Sequence, residues 1–109
     1  MAGTGRFVET LRESSAFELC GRIIRDDEGL VIFIDTLGRF QVPAGMVTAT
    51  LLGLGESPVM GPVQGRARLS ESGRGFYLNI NDESYVIPVS RVRAVMSGTH
   101  RKGPVSRVR

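Results

Sequence analysis

From Ala16 to about Gly98 the apolar residues follow strand-like periods, whereas the stretch before them repeats like a helix. In residues 5–14 (GRFVETLRES), Phe7, Val8 and Leu11 fall at i, i+1 and i+4 on one helical face, with Thr4 placed as an N-cap and Glu9 near the first turn. This predicts a short N-terminal helix over 5–14, which at that length holds only if its apolar face docks on something. Residues 16–24 (AFELCGRII) and 30–36 (LVIFIDT) are rich in β-branched and aromatic side chains, and the polar RDDEG between them predicts a hairpin turn ending in glycine. LVIFI is apolar at every position, which fits a strand covered on both faces or one lining a closed barrel. A second turn over Thr36–Arg39 leads into FQVP, where Pro43 marks a strand end or an edge. Residues 44–52 (AGMVTATLL) fit a strand and a short helix equally well.

Residues 53–65 (GLGESPVMGPVQG) hold the densest group of chain breakers and read as a joint between two halves. Beyond it the first pattern returns: VQGRARL, the polar turn SESGRG, the alternating FYLNIN, a turn around Asp82–Glu83, then SYVIPVSRVRAVMSG. Gly21-Arg22 overlays Gly65-Arg66, Gly29 overlays Gly73, and Phe40-Gln41-Val42-Pro43 overlays Tyr85-Val86-Ile87-Pro88; Val47, Ala49 and Gly53 then match Val92, Ala94 and Gly98. The offset is 44 residues early and 45 later. A unit this short cannot cover both faces of its own sheet, but two can close on each other. The prediction is a single domain over 1–109 of mainly β class: a small barrel or sandwich of roughly six to eight strands built from two pseudo-repeats (16–53 and 62–98), plus the N-terminal helix. A sharper repetition is Pro88–Arg93 (PVSRVR), which recurs as Pro104–Arg109. Strand alternation in the first copy would turn Val89, Arg91 and Arg93 one way and Ser90 and Val92 the other. The second copy could then occupy a similar strand position, on its own sheet edge or on that of a neighbouring subunit. The basic tail 99–109 has only two valines as apolar anchors and is expected to be mobile.

Composition narrows the class. The 109 residues are 41% hydrophobic and 23% charged, as in folded globular chains. No stretch approaches the roughly 20 apolar residues that cross a bilayer, and the charged N-terminus does not match a secretion signal, so a cytoplasmic protein without membrane attachment is expected. Cys20 is the single cysteine and reads as a buried small hydrophobe. The net charge of +3 is divided unevenly, −3 over residues 1–60 and +6 over 61–109. Lys102 is the one lysine among 14 basic residues, the rest being arginine, which suits bidentate contact with carboxylate or phosphate.

Candidate chemistry is sparse. His100 is the only histidine, so no Ser-His, Cys-His or multi-histidine arrangement forms within one chain, and no catalytic residue, metal site or cofactor is predicted. Asp26-Asp27-Glu28 and Asp82-Glu83 read as solvated turn carboxylates, and the glycines of GLGESPVMG lack phosphate-loop spacing. The remaining signal is basic: Arg66, Arg68, Arg91, Arg93, Arg101, Lys102, Arg107 and Arg109. If the strands carrying Arg66/Arg68 and Arg91/Arg93 are neighbours, four guanidinium groups form one anion- or partner-binding patch, suited to nucleic acid or an acidic protein surface. The run Ser84–Val95 (SYVIPVSRVRAV) resembles the strand-turn-strand corner of pleckstrin-homology and GRAM-like small barrels; over that dozen or so residues the resemblance implies a non-catalytic binding module. A non-enzymatic binding or adaptor module is therefore expected, with nucleic-acid association through the Arg-rich second half and a non-catalytic enzyme subunit as alternatives. Weakly charged strands such as LVIFI and FQV leave apolar area to cover, which favours a homodimer.

Overall fold

The period-two alternation becomes an antiparallel sheet that curls until its outermost strands meet. In the computed structural model, which describes residues 17–108, the elements are β1 (Phe17–Arg25), β2 (Gly29–Ile34), β3 (Gly38–Pro43), α1 (Ala44–Leu51), β4 (Ser57–Val59), β5 (Gly65–Leu69), β6 (Gly75–Ile80), β7 (Glu83–Pro88), α2 (Val89–Met96) and β8 (Gly103–Val108). Their spatial order is β3-β2-β1-β8-β7-β6-β5-β4. Gln41 at the β3 edge and Met60 just beyond β4 exchange two backbone hydrogen bonds of 2.8 and 3.0 Å, so the eight strands form a nearly closed barrel. The helix predicted over 5–14 lies outside the described residues. No helix among them is long and apolar enough to cross a membrane.

Alternation sorts the side chains. Ile23, Leu30, Ile32, Ile34, Phe40 and Val42 from the first half face Val59, Ala67, Phe76, Leu78, Ile80, Ile87 and Val105 inside the barrel, and Val47, Val92 and Val95 close it from the helices. LVIFI therefore lines a closed barrel, and its outward members are covered by neighbours on the same face. Val31 is buried between its ladder partners Ile24 and Gln41, and the Arg22 guanidinium lies 4.5 Å from the centre of the Phe33 ring. Gly21 and Gly65 are required by close approach. A Cβ at Gly21 would stand 1.9 Å from the Phe33 carbonyl oxygen, and one at Gly65 would stand 2.5 Å from Ile80 Cγ1.

The order β-β-β-α-β runs twice along the chain, and both helices enter at weak seams. Among the described residues, β7 and β8 pair only through Tyr85–Arg107 and Val86–Ser106, and β3 meets β4 only through Gln41–Met60. Continuing either register two residues sets Pro88 against Pro104 and Pro43 against Pro58, so neither member of the next pair has an N–H to offer. The ladders stop there, and the chain turns into α1 directly after Pro43 and into α2 directly after Pro88. α1 is fixed by two buried hydroxyls: Ser57 Oγ donates to the Met46 carbonyl at 2.9 Å and accepts from Thr50 Oγ1.

Several expectations are corrected by this arrangement. Residues 44–51, open between strand and helix, are helical, because the Pro-Pro pair ends the β3 ladder. The first PVSRVR copy is not a strand: Pro88 caps α2, whose buried Val89, Val92 and Val95 recur at helical spacing, so the SYVIPVSRVRAV corner runs from strand to helix rather than strand to strand. The tail is not loose, since Gly103–Val108 forms β8 with β1 on one side and β7 on the other, anchored by fully buried Val105. Paired on both edges, β8 is not free to extend a partner's sheet. The glycine- and proline-rich joint contains β4, and the β6–β7 turn centres on Asn81-Asp82, whose φ of 57° and 64° suit a two-residue hairpin loop.

The β1–β2 turn is organised by Asp26. Its carboxylate accepts from the Glu28 and Gly29 backbone N–H groups at 2.9 and 3.0 Å, from Gln41 Nε2 at 2.8 Å and from Arg39 at 3.1 Å. Desolvation acts to raise its pKa, but these donors outweigh it and hold the pKa below the ordinary carboxylate value. A depressed folded-state pKa contributes stability that is complete above the unfolded-state value near 4 and is lost as pH falls through the folded-state value. Thermal melts from pH 6 downward should therefore show wild-type stability falling below about pH 4 more steeply than that of Asp26→Asn. Parallel curves for the two proteins would show that the carboxylate does not hold the turn.

Candidate functional site: a groove on the outer face of β4, β5 and β6

In β5, Ala67 points into the barrel, so Arg66 and Arg68 point out. In β6, Phe76, Leu78 and Ile80 point in, which turns Tyr77 and Asn79 outward. The antiparallel register sets Arg66 beside Asn79 and Arg68 beside Tyr77, and the Arg68 guanidinium lies 5.2 Å from the centre of the Tyr77 ring. Ser84 in β7 and the Asn81-Asp82 turn form one wall of the depression between them. Glu56 and Gln64, on either side of β4, form the other, and Glu56 Oε1 stands 3.6 Å from Arg66 Nη1. The resulting groove has a volume of about 470 Å³. A shallower depression with Pro58 and Met60 shares Gln64, Gly65 and Arg66 with it, so an apolar end continues from the polar one.

The eight basic residues picked from the sequence do not form one patch. Arg66 and Arg68 line the groove. Arg91 and Arg93 were expected on a strand next to them, but both sit on α2, and the neighbours of β5 are β4 and β6. Arg101 and Lys102 lie in the exposed connection between α2 and β8. Arg107 is held between two carboxylates, 2.9 Å from Glu18 and 3.3 Å from Glu83, whose charges raise its pKa and offset its own charge. Arg109 lies outside the described residues. Alternation in FYLNI was sufficient to turn Tyr77 and Asn79 outward with Arg66 and Arg68; Glu56 and Gln64 join through tertiary approach alone.

Cys20 is a free thiol at the β1 bulge, partly covered by the core. Burial and the nearby Asp35 charge push its pKa up, so at neutral pH it remains a protonated thiol. No family model matches the chain, and neither the curated proteins nor the solved structures yield a match. The class that the fold defines is a nearly closed eight-stranded antiparallel barrel with two helices.

Proposed function

We propose that this protein is a non-enzymatic binding module and that the β4–β6 groove receives an extended, acidic segment of a protein partner. The carrying observation is the juxtaposition of Arg66 and Arg68 with the apolar Pro58 and Met60 across shared walls. Strand register sets Arg66 and Arg68 on one face, where their guanidinium groups suit bidentate contact with a ligand carboxylate, and Gln64, Asn79 and Asn81 offer amide contacts to its backbone. Glu56 and Asp82 restrict the ligand by repelling acidic groups outside the Arg66/Arg68 positions. Selection from a displayed library of short peptides should enrich sequences pairing an acidic with an apolar residue. Replacing Arg66 and Arg68 with alanine should weaken them at least tenfold, given roughly 1.5–3 kcal/mol for each charged hydrogen bond. Enriched peptides that bind the double variant as tightly as wild type would contradict the assignment.

The two β-β-β-α-β halves are proposed to be divergent copies of one unit, a reading supported by the Pro43/Pro58 and Pro88/Pro104 pairs at both seams. The free Cys20 thiol suits the reducing cytoplasm, which is the proposed location. A homodimer is proposed through the α1 surface and its adjoining loop, where Met46, Leu52, Leu54 and Val63 are each at least 39% exposed. Glu56 is the only charged residue between Arg39 and Arg66. Light scattering at micromolar concentration should give twice the 11.8 kDa chain mass, and Leu52→Glu with Leu54→Glu should halve it. A wild-type monomer would reject the dimer.

A further inference from the structure

A second surface lies where β1 ends against the α2–β8 connection. Arg25 closes β1, and its Nη1 donates to the Met96 carbonyl at the end of α2 at 3.0 Å. Arg91 Nη1 is 3.5 Å from His100 Nε2, and a Cβ at Gly103 would stand 3.2 Å from Arg91 Cβ. Arg101 and Lys102 lie between His100 and Gly103, so the chain cannot carry them far from the same corner. Arg25, Arg91, Arg101 and Lys102 are all exposed. The ion pairs Arg39–Asp26, Arg66–Glu56 and Arg107 with Glu18 and Glu83 include none of them. The acidic turn borders the corner on the Arg25 side: Asp26 is engaged by Gln41 and Arg39, while the exposed Asp27 and Glu28 weight phosphate contact toward Arg91, Arg101 and Lys102.

From this cluster we infer that the corner formed by Arg25, Arg91, Arg101 and Lys102 binds the phosphate backbone of nucleic acid without reading its sequence. Four cations at one corner would release condensed counterions from a duplex, which supplies binding free energy without base contacts. Residues 89–102 contain no Phe, Tyr or Trp and His100 is their one ring, so contact with phosphates outweighs base stacking at this corner. That segment offers a protein partner arginines but no exposed Phe, Tyr or Trp, whereas a polyphosphate engages every cation at the corner. This inference is independent of the groove.

The test is fluorescence anisotropy of a short labelled DNA duplex titrated with the full chain. With about four phosphates neutralised, affinity should fall roughly 100-fold between about 50 and 200 mM salt. The exposed triple variant Arg91→Gln, Arg101→Gln, Lys102→Gln should lower the salt slope by about three while keeping the wild-type melting temperature. The single Lys102→Gln change lowers the slope by about one and serves if the triple variant does not fold. The groove variant Arg66→Gln, Arg68→Gln should bind the duplex as wild type does, whatever happens to its peptides. No binding at low salt, binding untouched by the corner substitutions, or equal binding of polyglutamate and duplex would overturn the inference, the last pointing to acidic polypeptide instead.

Discussion

An antiparallel sheet leaves a row of unpaired backbone groups along each outer strand unless it closes, and the rest of this structure depends on how closure is achieved. The first and last described strands, β1 and β8, pair in the middle of the sheet and so tie the two halves together. The remaining joins, β3 with β4 and β7 with β8, are short and end at facing prolines. A proline pair cannot continue a ladder, so each seam opens at the same end of its half, and the helix after Pro43 or Pro88 fills the opening with buried valines. The helices are thus consequences of incomplete closure, and they complete the core that the strands leave open.

Six of the eight strands and the mainly β class, open between barrel and sandwich, were legible in the sequence because a period of two survives wherever one face is buried, whereas β4 in the joint and β8 in the tail were not. FELCGRII, LVIFI, FYLNI and SYVIP all took the places their patterns implied. What failed was inference from short windows. Pro88–Arg93 and Pro104–Arg109 are identical, and six residues carry both a strand phase and most of a helical one. Their surroundings decide between the two. The first copy continues into Ala94-Val95-Met96, which extends the Val89/Val92 spacing by another turn, whereas the second copy lies between two waiting strand edges. Tertiary context overrides propensity where local preference is balanced. The groove was half legible for the same reason: Arg66 and Arg68 share a phase within one strand, while Glu56 and Gln64 reach it only because β4 returns beside β5.

Similar architecture in the two halves carries different surfaces. α1 and its adjoining loop are uncharged up to Glu56, whereas α2 and its loop present Arg91, Arg93, Arg101 and Lys102. Strand pairs β1–β2 and β5–β6 each hold an arginine over a ring, and the second of these lines the groove. On the proposed reading of the halves as copies, the barrel interior kept its apolar character while the outer faces diverged into an uncharged α1 surface, the groove beside β5 and the basic corner at α2, to which the proposed self-association, peptide and phosphate binding are assigned.

Closure makes one copy of PVSRVR a helix and the other an inner strand, and backbone NMR of the full chain tests this most directly. Carbon-13 secondary shifts should be helical over Val89–Arg93 and extended over Pro104–Val108, with cross-strand contacts from Gly21 to Val105 and from Val86 to Ser106. Extended shifts in both copies, or a second copy without contacts to β1 and β7, would contradict the account.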